Sequence, residues 1–248
     1  MTLALATQGL AGCGRPVPAA DGGPERDAGP LPPRAALADQ VVEAPGASDG
    51  PFGDPELAVN GVRGGGDDAG SLDVYSLDAD PEDSLVLAWG GQRVLDGPGV
   101  DLVVFENPFR LAGSDGEVFM DPTVVELSED GRTWFALPFD YVAEDERSYS
   151  RRPADWVGFA GLAPVSWHVE DNPVDPFGPA AGGDAFDLAA LGDEGEAGAL
   201  RRRGARFVRL RAAAGLINPD TGERFVRDPL ANGPDIDGVA ARYLADAE

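Results

Sequence analysis

The chain has 248 residues, of which 34 are Gly and 22 are Pro, too many backbone breakers for a helical bundle. Acids outnumber bases 44 to 19, and a formal charge of −25 argues against any nucleic-acid partner because such a surface repels phosphates. Every base is Arg, with one His and one Cys, which excludes an intrachain disulfide, a multi-His metal site and a lysine-dependent phosphate loop.

Residues 1–13 are mostly small and apolar, and too short for a transmembrane helix, which needs about 20 residues. They end in Leu10-Ala11-Gly12-Cys13, which resembles a bacterial lipobox. That resemblance implies cleavage before Cys13 and lipidation of its thiol, hence a membrane anchor in the cell envelope. Gly14, not Asp, follows the cysteine, which by the same resemblance fits the outer membrane. No Arg precedes Cys13, so either the true start lies upstream of Met1 or the lipobox match is accidental. If the lipobox is not used, the expectation becomes a secreted protein.

Residues 14–51 are rich in Pro, Gly and Ala and hold no aromatic residue. Such a segment buries too little apolar surface to offset its ordering entropy, which predicts a disordered tether. All Phe, Trp and Tyr lie at or after Phe52, and residues 52–248 form the predicted domain. Its strands are short and separated by turn residues. Ser71–Leu77 alternates, Ser84–Trp89 and Asp101–Asn107 are apolar runs, and Thr123–Ser128 and Thr133–Leu137 flank an Asp130-Gly131 hairpin signal. Ala205–Arg211 and Ile236–Tyr243 supply two late strands, and short helices are expected around Phe186–Leu191 and Glu194–Arg203. The fold class expected is an all-β antiparallel sandwich, jelly-roll-like and similar to carbohydrate-binding modules, with long loops. Residues 138–184 are a long aromatic excursion without clear strands, the kind of segment that serves function or covers a core.

Three motifs stand in a distinctive order: Asp96-Gly-Pro-Gly-Val-Asp101 running into Leu102-Val-Val-Phe-Glu106-Asn107-Pro-Phe109, then Gly183-Asp-Ala-Phe-Asp187-Leu188, then Gly233-Pro-Asp235-Ile-Asp237-Gly-Val239. Together they resemble a family of bacterial cell-surface proteins and lipoproteins of unassigned activity. The resemblance covers roughly residues 52–244 and implies a surface-anchored β-sandwich; it brings no substrate and no catalytic residue.

The acids of these motifs are the metal candidates: Asp96, Asp101, Glu106, Asn107, Asp235 and Asp237. Hard oxygen ligands on turns, without His or Cys, suit a structural Ca²⁺, which takes 6–8 oxygens including carbonyls. A strand rises about 3.3 Å per residue, so Asp101 and Glu106 stand about 16 Å apart and belong to different clusters. Asp235 and Asp237, two apart on a predicted strand, should face the same way. Acids beside Gly are also ordinary turn residues. The arginines of the run Arg201-Arg202-Arg203, with Arg206, Arg209 and Arg211, are expected to pair with the excess carboxylates. A Ser-His-Asp set can be drawn from His168 with Ser166 or Ser148, but no Gly-x-Ser-x-Gly elbow supports it. No catalytic residue is assigned. Tyr149, Trp156 and Trp167 are the ligand-binding candidates, as stacking platforms for a glycan or a surface protein, or else as caps on the core. The function expected is a lipid-anchored binding module; the alternative is a secreted carboxylate-dependent hydrolase of the glycosidase kind, which needs only a carboxyl pair at the right separation.

Overall fold

The computed structural model describes residues 36–44, 50–80, 83–172 and 174–247. Every strand pair in it is antiparallel, and the two largest sheets face each other across one core. Eight strands carry the architecture: β1 (Gln40–Glu43), β2 (Leu85–Ala88), β3 (Leu102–Phe105), β4 (Thr123–Ser128), β5 (Phe135–Ala136), β6 (Asp184–Phe186), β7 (Phe207–Ala212) and β8 (Gly238–Ala241). The larger sheet runs β1-β2-β7-β4-β5 and the smaller β6-β3-β8. A single α-helix, α1 (Gly195–Arg203), lies between β6 and β7 among the described residues.

The longest ladder follows the apolar pattern most closely. In β7, Val208, Leu210 and Ala212 point inward while Phe207, Arg209 and Arg211 are half-buried. Its partner β4 pairs Phe207 with Ser128 through to Ala212 with Thr123, so Arg209 stands opposite Glu126 and their side chains meet at 2.6 Å. The Asp130-Gly131 turn closes the β4–β5 hairpin with Gly131 at φ +71°, a conformation glycine adopts without steric cost.

Strand β3 is buried on both faces. Leu102 and Val104 face the main core with Leu85, Leu127 and Val208; Val103 and Phe105 face a second cluster with Val62, Val165 and Trp167. The outer face of the small sheet is therefore covered by part of the 138–184 excursion rather than left to solvent. Each of these large apolar side chains contributes about 1.5–3 kcal/mol by leaving water. A third cluster, Met120, Val124, Tyr141, Trp156, Phe159 and Phe225, fills the end of the sandwich under the rest of the excursion.

Three differences from the sequence reading stand out. The domain reaches back before Phe52: Ala36, Leu37 and Ala38 are buried, Trp89 Nε1 donates to the Ala36 carbonyl at 3.1 Å, and β1 adds an edge strand to β2. Residues 36–44 thus belong to the sandwich and not to the tether. The alternation read over Ser71–Leu77 fails at its start, where Leu72 is 84% exposed and only Tyr75–Ser76 is strand. The run Ile236–Tyr243 is broken at Asp237, leaving a short Asp235–Ile236 strand paired with Tyr75–Ser76 ahead of β8. Cys13, the lipobox and the tether up to residue 35 lie outside the described residues.

Candidate functional site: a buried carboxylate centre

The acids of the sequence motifs sort into three places. The first is the turn before β3. Asp101 is fully buried, and both its oxygens are taken: Gly97 N–H donates to Oδ1 and Leu188 N–H to Oδ2, each at 2.8 Å. Asp96 and Asp187 lie close by, with one oxygen of each acid within 4.8 Å of the others. Asp96 is held by Arg201 Nε at 2.7 Å, and Asp187 Oδ1 caps the turn at Leu188–Leu191 by accepting from Ala189 N–H at 2.7 Å. Burial lifts the Asp101 carboxyl to about 7 against the pull of its two amide donors. This group fastens turns together and is already provided with donors.

The second place is Asp237. Its two oxygens both accept from Arg63 N–H, at 2.9 and 3.0 Å, and its own N–H donates to the Phe105 carbonyl at 2.9 Å. Burial raises it to about 7. It docks the 60s loop onto the end of β3. Asp235 takes other partners, Ser76 Oγ and the Asn107 side chain, so the expectation that Asp235 and Asp237 face the same way is corrected: the break in the strand at Asp237 parts them.

The third place is the end of β3, where Glu106 meets Asp235 and Asp121. Glu106 is 3% exposed. Its Oε1 accepts from Asp235 N–H at 2.8 Å, while its Oε2 is sealed from solvent with no hydrogen-bond partner among the described residues. Desolvation first, then the charges of Asp121 and Asp235, push its pKa well above the ordinary carboxyl range. Asp121 precedes β4 in Met120-Asp121-Pro122; burial, with Asp235 and Asp228 nearby, raises it to about 8, and Arg227 offsets this in part. Burial likewise raises Asp235, against the bonds from Ser76 and Asn107. Asn107 reaches back to lock residues 70–71, donating from Nδ2 to the Ser71 carbonyl at 3.0 Å and accepting from Ser71 N–H.

The loop 160–163 forms the far wall. Gly161 has φ +82°, and a Cβ built on it would stand 2.5 Å from the Asp121 carbonyl oxygen and 3.3 Å from Glu106 Oε2. A side chain at 161 would clash with the Asp121 backbone, so only glycine lets this loop lie against Asp121 with Glu106 Oε2 on the same side. Asp184, raised to about 6 by burial, pins this loop by accepting from the amides of Gly161, Leu162 and Ala163.

Above this centre the excursion forms an open polar cleft of about 270 Å³ lined by Glu117, Glu144, Asp145, Ser148, Tyr149, Ser150, Arg151, Arg152 and Asp155. Two of its walls touch the centre's surroundings. Tyr149 donates its hydroxyl to the Met120 carbonyl at 2.5 Å, and Arg151 NH2 pairs at 2.6 Å with Asp228, whose side chain is fully buried.

Of the aromatic candidates, Trp156 and Trp167 are corrected. They are 1% and 0% exposed, Trp156 against Tyr141 and Phe159, Trp167 against Phe105, so neither offers a face to a sugar. Tyr149 is half-buried and does line the cleft. Of the six arginines, Arg201 pairs with Asp96 and Asp193, Arg203 with Glu129 and Arg209 with Glu126; Arg202 donates instead to the Asp193 carbonyl, and Arg206 lies over the Phe207 ring. His168 sits in a turn, its Nδ1 facing the amides of Glu170 and Asp171 and its Nε2 3.4 Å from Asp171. Asp121, Asp184, Asp187 and Asp228 were missed by the sequence reading. Asp187 and Asp184 lie in a quoted motif, but Asp121 and Asp228 carry no spacing signal toward Glu106.

No protein-family model, curated protein or solved structure matches the chain.

Proposed function

We propose that the chain is a non-catalytic binding module displayed at the bacterial cell surface. Cys13 is its lipid anchor, in the outer membrane; the segment before Ala36 is the tether; the sandwich presents the cleft of residues 117 and 143–155 to a glycan or to a surface protein. The observation that carries this reading is the cleft itself. It is open, built on the long excursion, and lined by charged and hydroxyl groups with one aromatic side, Tyr149. Such a lining suits a polar ligand that binds by hydrogen bonds and one stacking contact. No helix among the described residues is long and apolar enough to cross a membrane, so an anchor at Cys13 would be the means of attachment.

The hydrolase reading rests on Glu106 and Asp121, two buried carboxyls with raised pKa. The sealing of Glu106 Oε2 weighs against it, since an acid must reach the bond it protonates.

The test is binding of the full chain to arrayed glycans and to host surface extracts, compared with the double variant Glu144→Ala/Arg152→Ala. Both side chains are exposed and line the cleft. The reading expects at least a tenfold loss of affinity in the variant. Equal binding by both proteins, or release of new reducing ends from the glycans, would count against it.

A further inference from the structure

We propose that Glu106 and Asp121 form a calcium site beneath the cleft, with the Glu106 carboxylate and the carbonyl and carboxylate of Asp121 as protein ligands and Asp235 as the neighbouring charge. It does not depend on what the cleft binds.

A cluster of acids is common in a chain this acidic, and by itself it means little. Here a second feature points to a ligand. Glu106 Oε2 is buried with no hydrogen-bond partner among the described residues, and it lies on the same side of Gly161 as the Asp121 carbonyl oxygen: a Cβ built on Gly161 would stand 3.3 Å from the first and 2.5 Å from the second. A carboxylate oxygen left dry and unbonded is costly, and native structures rarely retain one without a counterpart. The local charge balance agrees. Of the arginines nearby, Arg151 is committed to Asp228 and only Arg227 offsets Asp121.

The donor set decides the metal class. It is all oxygen, with no His, Cys or Met, which disfavours zinc and copper. It mixes carboxylate with carbonyl on loops from three segments, and the acids do not converge as tightly as Asp96, Asp101 and Asp187 do. Calcium tolerates such irregular geometry, whereas magnesium demands a compact octahedron. The tighter group at Asp96 is the poorer site, because amides and Arg201 already occupy its oxygens. Gly161 is held in place by the Asp184 bonds to its loop, so the cradle is built before a cation arrives.

Terbium luminescence tests this directly, since Tb³⁺ takes calcium sites and is excited by nearby aromatic rings. Tyr149 bonds the Met120 carbonyl beside Asp121, and its ring lies 5.7 Å from that of Trp156. With the full chain at fixed ionic strength, we expect sensitised emission that saturates at one ion per chain. Calcium should displace it and equal magnesium should not. Glu106→Gln should lower the emission at least tenfold, and Asp121→Asn should lower it similarly, so the result does not hang on one variant folding. Asp96→Asn should leave it unchanged. Absence of sensitised emission from the unaltered chain, full emission in both Glu106→Gln and Asp121→Asn, or its loss in Asp96→Asn would overturn the proposal; full emission in both ligand variants would mean that Glu106 is merely a protonated core acid.

Discussion

Asp235 N–H donates to Glu106 Oε1 at 2.8 Å, joining residues 129 positions apart at the end of the small sheet. The bond fixes one oxygen of Glu106 and thereby turns the other toward Gly161 and Asp121. It also explains why Glu106 is part of the fold whether or not it holds a cation. The short strand Asp235–Ile236 is tied to β3 through this carboxylate as well as through Asp237 N–H to the Phe105 carbonyl.

The Arg151–Asp228 pair is the most exacting ion pair around the centre. Asp228 has a fully buried side chain, and Arg151 reaches it with two nitrogens, at 2.6 and 2.8 Å. Arg151→Ala strands a buried charge, which costs about 3–5 kcal/mol. A fall of that size in the unfolding free energy measured by urea titration, with calcium present, is expected. A change below about 0.5 kcal/mol, the usual range for a surface substitution, would mean that Asp228 finds another partner.

Asp101→Asn and Asp237→Asn separate turn fastening from metal binding. Asp101 accepts from two separate amides, whereas Asp237 shares the single Arg63 N–H between its two oxygens, and an Asn can accept at only one of its two side-chain positions. Asp101→Asn should therefore cost about 1–3 kcal/mol, and Asp237→Asn, which can keep its one donor, should cost less. The loss should be equal with calcium and with chelator. If either variant loses stability only when calcium is present, that acid is a ligand after all.

The pH dependence has a definite sign. Asp101 lies near 7 and Asp184 near 6 in the folded protein, against an ordinary value of 3.8. Between these limits the folded chain holds protons that the unfolded chain has lost. Their contribution to stability is therefore full below about pH 4 and is lost as pH rises through 6 to 7. Calcium-free protein should melt higher at pH 5 than at pH 7.5, and Asp101→Asn should flatten part of that slope. A melting temperature that climbs from pH 5 to pH 7.5 contradicts the burial of these acids.

Limited proteolysis should trim the chain to about Ala36 and not to Phe52. The Ala36 carbonyl takes the Trp89 indole, Ala38 N–H donates to the Val239 carbonyl at 2.8 Å, and β1 is laddered to β2. A stable core that begins after residue 50 would show that β1 adds nothing.

How legible was this in the sequence? The ladders were, wherever apolar and β-branched residues run together: Leu85–Ala88, Leu102–Phe105 and Thr123–Ser128 sit inside their predicted runs, and Asp130-Gly131 turns the expected hairpin. The segment 36–44 was hidden because β1 is mostly exposed and Ala36 and Ala38, which are buried ahead of it, are too small to register as a core, yet Ala38 lies against β8 through its N–H to the Val239 carbonyl. Asp235 and Asp237 show the limit of alternation, which holds only while the strand lasts. Within the carboxylate centre, Glu106, Asn107 and Asp235 could be named from their motifs. Asp121 could not, because nothing in Met120-Asp121-Pro122 announces that Gly161 will bring its carbonyl opposite Glu106. Sites assembled across sheets leave no spacing in the chain.

The most direct measurement is the melting temperature of the full chain by calorimetry at pH 7.5, with chelator and with calcium at a hundredfold excess over its dissociation constant, ionic strength held fixed. A ligand of the folded state alone adds about 2.7 kcal/mol at that excess. For a domain of this size that is a rise of roughly 5–11 °C. The carboxylate centre predicts that rise in the unaltered chain, little of it with magnesium, and none in Glu106→Gln. An unaltered chain that melts at one temperature with and without calcium, or a Glu106→Gln variant that keeps the full rise, would contradict it.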